Sequence, residues 1–308
     1  MILTVTLNAA LDLTYRVPRL RPHATHRVTH VAERPGGKGL NVARVLAALG
    51  HDTVVTGFAG GPTGTTLRRL LADGSRPGTL TDELVTITGP TRRTIGVVDE
   101  STGESTQLNE PGPEVTSEQW TSFCERYARL LRGARAVALC GSLPPGVPVG
   151  AYAQLVREAH AARVPVLLDT SGEPLRRGLA ARPDLVKPNT TELAALTGST
   201  DPLRAASDTR RRGARAVAAT LGPDGILALT PDGTWRAAPP RRIPGNPTGA
   251  GDSATAALLS GWLEGLPWPD RLARAVALSA ATVRAPVAGE FDREAYEELL
   301  PQVKVTEA

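Results

Sequence analysis

A short glycine-rich segment, Gly249-Ala250-Gly251-Asp252, places one carboxylate where a proline-rich stretch becomes an apolar helix. Its two glycines let the backbone turn tightly, so that the amides of residues 250–252 can converge on one point. Those amides would carry the positive end of a helix dipole, which favours an anion. The segment therefore suits a transferring phosphoryl group, with Asp252 as the general base for the attacking hydroxyl. A structural role is the alternative, because Asp is also common at helix N-termini.

Three other segments place polar residues beside glycine or at the end of a predicted strand. Asn8 to Asp12 follows an apolar, β-branched strand, and ligands of open α/β sheets bind at such strand ends. Gly36-Gly37-Lys38-Gly39 opens a helix that Gly50 ends, and Lys187-Pro188-Asn189 follows a short strand. Only three of the 35 Lys and Arg residues are lysines, which suggests that Lys38 and Lys187 occupy positions that need a compact ammonium.

The elements that would position these segments alternate between strands and helices. A capping box of Thr116 with Gln119 begins a helix that runs to about Leu131, and a buried strand, Ala136 to Cys140, follows. Further strands are predicted at residues 53–58, 84–88, 94–99, 105–108, 165–169, 185–187, 216–221, 226–229 and 234–237, and further helices at 65–72, 151–162, 191–197, 253–265, 269–284 and 293–300. This alternation predicts an α/β fold with a mainly parallel sheet and helices on both of its faces.

Two weakly apolar regions interrupt the alternation. The first region, residues 13–34, contains short predicted strands at 13–17 and 25–32. The second region, residues 89–110, contains the predicted strands at 94–99 and 105–108. Their low apolar content suits an edge ribbon better than a core strand. Because no repeat or low-complexity linker divides the chain, we predict a single domain over residues 1–308, with a small β lid formed by about 13–34 and 89–110.

Composition argues against several kinds of partner. The net charge of +4 comes from scattered arginines without a basic block, which argues against nucleic acid and leaves small anionic substrates open. The two cysteines are too few for a disulfide framework, and His23, His26 and His30 lack a zinc-site spacing. The apolar N-terminus has no basic region before it, and no apolar run is long enough to span a membrane. We therefore expect a soluble, cytoplasmic protein.

Three common catalytic motifs are missing from the sequence. Gly37-Lys38-Gly39 is not a Walker loop, because Gly39 stands where that motif needs a Ser or Thr hydroxyl to bind magnesium. The first predicted strand is not followed by the glycine pattern of a dinucleotide site, and Ser142 lacks the G-x-S-x-G context of a hydrolase nucleophile. What remains is a doubly wound enzyme with polar motifs at several strand ends.

Nine short segments in order along the chain resemble the PfkB carbohydrate kinase family, in particular its branch of 1-phosphofructokinases and tagatose-6-phosphate kinases. The segments are residues 8–12, 36–43, 91–92, 109–113, 141–146, 169–172, 187–192, 221–225 and 249–252. They span nearly the whole chain, and nine in the family's order are far more specific than any one alone. The chain departs from the family where Ala9 replaces a common proline and where Asn246-Pro247-Thr248 replaces a more usual Asn-Thr-Val. Neither departure removes a catalytic group.

The resemblance implies the ribokinase-like fold, a three-layer α/β/α sandwich with a small β lid. It also implies ATP-dependent phosphorylation of a ketohexose phosphate, with Mg²⁺ as cofactor and a monovalent cation, K⁺, as an additional one. Fructose 1-phosphate is the first choice of substrate, ahead of tagatose 6-phosphate and fructose 6-phosphate. Family members often form homodimers through the lid strands, which the weakly apolar ribbons would permit. Two interpretations stay open: a catalytically silent sugar-phosphate or nucleotide sensor, and a kinase for a nucleoside or an unphosphorylated sugar.

Position by position, the resemblance also implies the site residues. Asp252 would be the general base, with the amides of Gly249, Ala250, Gly251 and Asp252 around the γ-phosphoryl group. The sugar phosphate would contact Asp12, Gly37, Lys38, Asn41, Arg92 and Asn109. The nucleotide would lie along Lys187, Thr220, Gly222, Asp224 and Gly225, and Asn189 with Glu192 would help to hold Mg²⁺.

Several of these residues also have simpler structural explanations. Asn189 with Glu192 three residues later forms a capping box by sequence. Arg92 has an alternative as a solvated lid charge, and the neighbouring Arg93 leaves the choice of phosphate-binding arginine open. Residues 220–225 are also compatible with a plain strand, turn and strand.

Overall fold

The computed structural model describes residues 1–73, 77–285 and 287–308, in which fifteen β-strands and ten α-helices occur. The strands are β1 (Ile2–Thr6), β2 (Ala10–Val17), β3 (His30–Gly36), β4 (Thr53–Gly60), β5 (Leu80–Asp82), β6 (Val85–Ile87), β7 (Arg92–Asp99), β8 (Ser105–Asn109), β9 (Ala136–Cys140), β10 (Val166–Asp169), β11 (Leu185–Val186), β12 (Ala216–Thr220), β13 (Ile226–Thr230), β14 (Gly233–Ala238) and β15 (Lys304–Glu307). The helices are α1 (Lys38–Ala48), α2 (Gly61–Ala72), α3 (Ser117–Leu131), α4 (Ala151–Ala161), α5 (Gly172–Leu179), α6 (Thr190–Thr197), α7 (Pro202–Arg211), α8 (Ala250–Leu263), α9 (Trp268–Val283) and α10 (Arg293–Leu299). None of the helices in the described ranges combines the length and apolar character that a bilayer crossing requires.

The main sheet contains eleven strands in the order β15-β14-β13-β12-β11-β10-β9-β1-β4-β5, with β6 also paired to β4. The strands from β12 to β5 in this order run parallel, as does β6, whereas β13, β14 and β15 add an antiparallel edge. Because parallel strands end at the same edge, the segments that follow β1, β9, β10, β11 and β12 come together there. The predicted α/β fold with a mainly parallel sheet is confirmed.

Alternating side chains of the central strands enter two separate cores. Val137 and Leu139 of β9 belong to a core with Tyr152 of α4, whereas Ala138 between them belongs to a core with Leu258 of α8. This alternation follows from the two-residue period of a strand. The first core also includes residues of α3 and α5, and the second residues of α1 and α9, so the sheet lies between two helical layers.

A second sheet has four strands in the order β3-β2-β7-β8. It begins at Ala10, before the predicted lid boundary near residue 13, so that Asp12 lies within it. Asp12 is paired in register with Thr94 of β7, which is paired with Asn109 of β8, and these three residues share one face. The sheet covers much of the predicted lid region, and its action as a lid stays a prediction.

Some element boundaries differ from the predictions. Strand β3 spans His30–Gly36 rather than residues 25–32, because its pairing with β2 begins where His30 lies opposite Arg16 and ends where Gly36 lies opposite Ala10. Pro35 is tolerated in this strand because β3 is at the edge of its sheet. Helix α8 begins at Ala250 rather than at residue 253, which places Asp252 in its first turn.

Four elements have no counterpart in the sequence predictions. Helix α5 contains Gly172, Pro174 and Gly178, which favour a loop by composition, and α7 is polar apart from a narrow buried face at Ala205 and Ala206. The short strands β5 and β15 lack an apolar pattern of their own and are defined by their pairing with β4 and β14.

Candidate active site

A cavity of about 880 Å³ is lined by the second sheet, by segments that follow β11 and β12, and by the N-terminal ends of α1 and α8. Most of the predicted site residues line it: Asp12, Gly37, Lys38, Asn41, Arg92, Asn109, Lys187, Asn189, Thr220, Gly222, Gly225, Gly249, Ala250, Gly251 and Asp252. Two predicted residues are not among the lining residues. Glu192 lies beside the cavity with Oε1 3.8 Å from Lys38 Nζ, and Asp224 is exposed in a 3₁₀ turn.

Helix α8 begins within the glycine-rich segment. Gly249 is its N-cap with a φ of +86°, and a Cβ there would lie 2.8 Å from that of Ala288, so both backbone conformation and space require glycine. The amide of Ala250 donates to the carbonyl oxygen of Pro247 at 3.1 Å, which differs from the predicted convergence of three amides. The first-turn N–H groups of Gly251 and Asp252 therefore remain as the candidate donors to an anion at this helix end.

Asp252 is a buried carboxylate with one fixed oxygen. Asn41 Nδ2 donates to Asp252 Oδ2 at 2.8 Å, and Asp252 is only 8% exposed. Burial, and then the nearby negative charge of Asp169, raise the pKa of Asp252 to about 6, although Lys38, Asn41 and Lys187 oppose the shift. A carboxyl group with this pKa is ionised at neutral pH yet accepts a proton more readily than an ordinary aspartate.

Asp169 forms the centre of a buried ion cluster beneath the cavity. Its Oδ1 lies 2.8 Å from Lys38 Nζ and its Oδ2 lies 3.1 Å from Lys187 Nζ, while Thr255 Oγ1 donates to Oδ2 at 3.0 Å. Burial alone would raise the pKa of Asp169, but the two ammonium groups outweigh it and lower the pKa to about 2. Asp169 in turn raises the pKa of Lys38, so Asp169 and Lys38 both stay charged.

The role of Asp169 was not assigned from the sequence, although it belongs to one of the nine family-like segments. A carboxylate at the end of a buried strand, β10, was the available signal. Its partners lie far away in sequence, so nothing local identifies them.

The second sheet supplies the opposite wall of the cavity. Burial raises the pKa of Asp12 to about 6, although a hydrogen bond from Thr94 and the charges of Arg92 and Arg44 oppose the shift. Arg92 is anchored by donating from Nε to the carbonyl oxygen of Asn8 and from Nη1 to that of Glu110, both at 3.2 Å.

Of the two adjacent arginines, Arg92 lines the cavity and Arg93 does not. The Arg93 side chain is 52% exposed and lies 3.5 Å from a Glu110 carboxylate oxygen. Two further residues of this wall, Thr94 and Gln107, were missed because polar residues in a predicted lid strand carry no distinguishing pattern.

The part of the cavity where the nucleotide is predicted to lie combines a glycine-rich turn with an apolar wall. Gly225 has a φ of +90°, and a Cβ there would lie 1.9 Å from the carbonyl oxygen of Ala237, so glycine is needed where β13 begins. Apolar lining residues that the sequence did not single out are Pro239, Ile243, Val276, Ala280 and Val283. Such a wall suits a flat heterocyclic group.

Asn189 and Glu192 form the capping box of α6. Glu192 N donates to Asn189 Oδ1 and Asn189 N donates to Glu192 Oε2, both at 2.8 Å. Asn189 and Glu192 therefore do cap the helix, as the structural explanation predicted, and Glu192 Oε1 is the carboxylate oxygen that the capping box does not use.

These features define a class of enzyme, a phosphotransferase in which helix-terminal amides and a buried carboxylate meet at the carboxyl edge of an α/β sheet. Residues 3–294 match the pfkB family of carbohydrate kinases, so the chain belongs to that family and is a sugar kinase of the phosphofructokinase type.

Solved structures of relatives extend over almost the whole chain. Phosphofructokinase-2 from Escherichia coli has been solved with fructose-6-phosphate, with potassium and as a tetrameric inhibited form; these structures are 30% identical to this chain, cover 98% of both chains and have TM-scores of 0.87 to 0.89. A possible 1-phosphofructokinase from Thermotoga maritima is 28% identical, covers 100% of this chain and 99% of its own, and has a TM-score of 0.91. Ribokinase from Arabidopsis thaliana, solved with ribose and ATP, is 24% identical over 97% of this chain and 98% of its own, with a TM-score of 0.75, and shows the shared fold.

Proposed function

We propose that this kinase transfers the γ-phosphoryl group of ATP to fructose 1-phosphate and so forms fructose 1,6-bisphosphate and ADP. The observation that carries the proposal is a single cavity in which Asp252, held by Asn41, shares the space with Asp12 and Arg92 of the second sheet. The similarity to a possible 1-phosphofructokinase over the whole chain supports the choice of sugar phosphate.

The transfer would need one base and a set of donors that stabilise charge. Asp252 would accept the proton of the attacking sugar hydroxyl as its oxygen bonds to the γ-phosphorus and the bond from that phosphorus to ADP breaks. The N–H groups of Gly251 and Asp252 would stabilise charge on the transferring group. Lys187 would add to this, because its Nζ lies 3.5 Å from where a Cβ of Gly251 would be.

The residues present fit a Mg²⁺ ion held mainly by the nucleotide. Within the described ranges no group of three or more His, Cys, Asp or Glu side chains could hold a metal. Mg²⁺ commonly keeps several waters and binds one or two carboxylates plus substrate phosphates, so Glu192 Oε1 would suffice. The bound ion would neutralise phosphate charge, and Glu192→Gln should then raise the Mg²⁺ concentration for half-maximal activity. An unchanged Mg²⁺ titration would leave Asn189 and Glu192 with the capping role alone.

Two carboxyl groups of the cavity should determine the acid side of the pH profile. We expect log(kcat/KM) for the sugar phosphate to fall below about pH 6, because Asp252 must be ionised to accept a proton and Asp12 to accept hydroxyl hydrogen bonds. Asp12→Asn should reduce the limiting slope of log(kcat/KM) against pH by one unit, because one fewer proton must be lost. The phosphate of the substrate also titrates near pH 6, but its contribution is common to both proteins. Equal steepness in the two profiles would show that Asp12 need not be ionised.

Arg92 should bind the phosphate that the substrate already carries. Arg92→Ala is expected to raise KM for the sugar phosphate by about tenfold to a hundredfold, the range for a lost hydrogen bond to a charged group, with KM for ATP little changed. Steady-state kinetics with each substrate varied would measure this. Arg93→Ala is the matched control, because Arg93 lies outside the cavity lining and should leave both constants unchanged. Equal effects of the two substitutions would contradict the assignment.

A panel of sugars and sugar phosphates with ATP is the decisive test of the substrate. We expect the highest kcat/KM with fructose 1-phosphate, with fructose 6-phosphate, tagatose 6-phosphate, free fructose and ribose as the comparison substrates. The alternative with specific support is a 6-phosphofructokinase, because phosphofructokinase-2 at 30% identity has been solved with fructose-6-phosphate. No ATP turnover with any sugar phosphate would indicate a silent sensor.

A requirement for K⁺ is proposed by analogy with phosphofructokinase-2, which has been solved with potassium. Replacing K⁺ with tetramethylammonium at constant ionic strength should then lower the rate, and an equal rate in both would exclude the requirement.

We also propose a homodimer through the outer face of the second sheet. Opposite the cavity face, Tyr15 is in register with Val31 and Val97, and Ile95 with Leu108, which form a continuous apolar patch. Val31 on β3 is 52% exposed and Leu108 on β8 is 59% exposed, so large apolar side chains are exposed at both edges of this face. A second copy of the chain is the proposed occupant, because phosphofructokinase-2 forms a tetramer. Sedimentation should show a dimer that Leu108→Glu dissociates, and a wild-type monomer would contradict this.

A further inference from the structure

Arg44 is almost completely buried and is not one of the residues that line the catalytic cavity. It lies on α1 and is 6% exposed. Its Nη1 donates to the carbonyl oxygen of Ala288 at 3.0 Å, and its Nη2 donates to Glu290 Oε1 at 2.7 Å. Arg44 therefore ties α1 to residues 288–290 with two charge-assisted hydrogen bonds, which are stronger than neutral ones.

The segment that Arg44 holds is in contact with two residues of the active site. Gly289 has a φ of +77°, and a Cβ there would lie 2.7 Å from Arg44 Nη1 and 3.0 Å from Asn41 Oδ1. The adjacent Ala288 packs against Gly249, where an added Cβ would lie 2.8 Å from the Ala288 Cβ. Ala288 thus packs closely against Gly249, the residue before α8, and Gly289 packs closely against Asn41.

Asn41 is the residue through which this packing reaches the carboxylate. Its Nδ2 donates to Asp252 Oδ2, whereas its Oδ1 is buried and has no hydrogen-bond partner in the described residues. The amide group of Asn41 is thus held by Asp252 on one side and lies close to Gly289 on the other. Asn41 and Arg44 lie three residues apart on one helix, so movement of one is coupled to the other.

We propose that Arg44 is a positioning residue for phosphoryl transfer, which orients Asp252 through Asn41 and fixes Gly249 at the start of α8 by holding residues 288–290 in place. The inference rests on the proposed role of Asp252 as the base. Arg44 contacts neither substrate in this arrangement and acts through its neighbours. A displacement of about 1 Å at a reacting group can lower the rate by about a hundredfold, so a buried brace of this kind has a large effect on turnover.

The test compares Arg44→Lys with a matched control, Arg68→Lys. Lysine keeps the positive charge, which also acts on Asp12, but cannot hold two acceptors in the geometry of the guanidinium fork. Arg68 likewise joins a helix to a carboxylate, that of Asp82, and to a carbonyl oxygen, that of Leu84. It does not line the catalytic cavity.

Arg44→Lys should lower kcat by about tenfold or more, while KM for each substrate changes by less than about threefold. Arg68→Lys should leave kcat unchanged, and its loss of thermal stability should be smaller because the Arg68 side chain is 29% exposed. Because the Asn41 hydrogen bond lowers the pKa of Asp252, a loosened Asn41 should also move the acid limb of kcat to higher pH. The other charged groups facing Asp252, namely Asp169, Lys38 and Lys187, are unchanged in both variants.

Glu290→Ala provides a second variant if Arg44→Lys does not fold, because the Glu290 side chain is 43% exposed and its removal leaves α1 intact. It should lower kcat in the same direction, and the acid limb is compared only for Arg44→Lys, because the Glu290 substitution also removes a negative charge. Normal kcat and an unmoved acid limb in the folded variant would overturn the proposal, as would equal losses in the Arg68 control. Asp252→Asn measured alongside separates the two hypotheses. If Asp252→Asn retains turnover, the assignment of Asp252 as the base is wrong. If Asp252→Asn is inactive but Arg44→Lys has a normal kcat, only the positioning role of Arg44 is wrong.

Discussion

Asp252→Asn is expected to lower kcat by about 10²- to 10⁴-fold, the range for a positioned general base, while ATP and sugar phosphate still bind with near-normal affinity. Asparagine keeps the size of the side chain and can still accept the hydrogen bond from Asn41 Nδ2, but it cannot take the proton of the attacking hydroxyl. Steady-state rates for turnover and calorimetric titration for binding would separate the two effects. A variant with near-normal kcat would remove Asp252 from the mechanism.

The same substitution should stabilise the folded protein at neutral pH. The pKa of Asp252 is raised from 3.8 to about 6 in the fold, so the ionised carboxylate opposes folding above about pH 6, and this penalty disappears as the pH falls toward 4. The shift corresponds to a gain on the order of 3 kcal/mol in the free energy of unfolding for Asp252→Asn at pH 7. Asp232→Asn, in an exposed turn, is the control and should change neither rate nor stability.

A loss of activity together with a gain of stability would distinguish a functional carboxylate from a structural one. If Asp252 served mainly as an N-terminal helix residue, Asn would cost stability through the lost interaction with the helix dipole. Urea unfolding of both variants at about pH 4 and pH 7 provides the comparison, because the gain should be present only at the higher pH.

The sequence was informative where a function depends on the local backbone. The turn at Gly249 and the capping box of Asn189 with Glu192 are each contained within a few residues, so spacing and residue type were enough to locate them. The parallel sheet was predictable for the same reason, because its central strands and most of the helices between them have patterns of their own.

The pairing of side chains across the fold was not predictable from the sequence. Asn41 and Asp252 are 211 positions apart, and Lys38 and Asp169 are 131 apart, so their contacts exist only once the strand order has brought those segments together. The amide of Ala250 illustrates the same limit at short range, because its bond to Pro247 depends on the turn that the chain adopts. Arg44 is one of many arginines, and only its burial distinguishes it.

Asp169→Asn is expected to lower the free energy of unfolding by about 3–5 kcal/mol, the range for breaking a buried ion pair from one side. The carboxylate of Asp169 is unexposed and the Lys187 side chain is 4% exposed, so an uncharged residue at 169 leaves the Lys187 ammonium without its counter-ion in the protein interior. Lys38 is 36% exposed and can turn toward solvent, so most of the loss should come from Lys187. Urea unfolding at pH 7 without ligands would measure it.

A double substitution and the pH dependence test the physical cause of this loss. Lys187→Met in the Asp169→Asn background should recover part of the stability, because it removes the unpaired charge and fills the same space with an apolar side chain. The pKa of Asp169 lies at about 2 in the fold against 3.8, so its contribution is present above about pH 4 and is lost as the pH falls toward 2, opposite in sign to Asp252. A loss below about 1 kcal/mol for Asp169→Asn, or no recovery by Lys187→Met, would mean that water reaches Lys187 and that the cluster is not held by its charges.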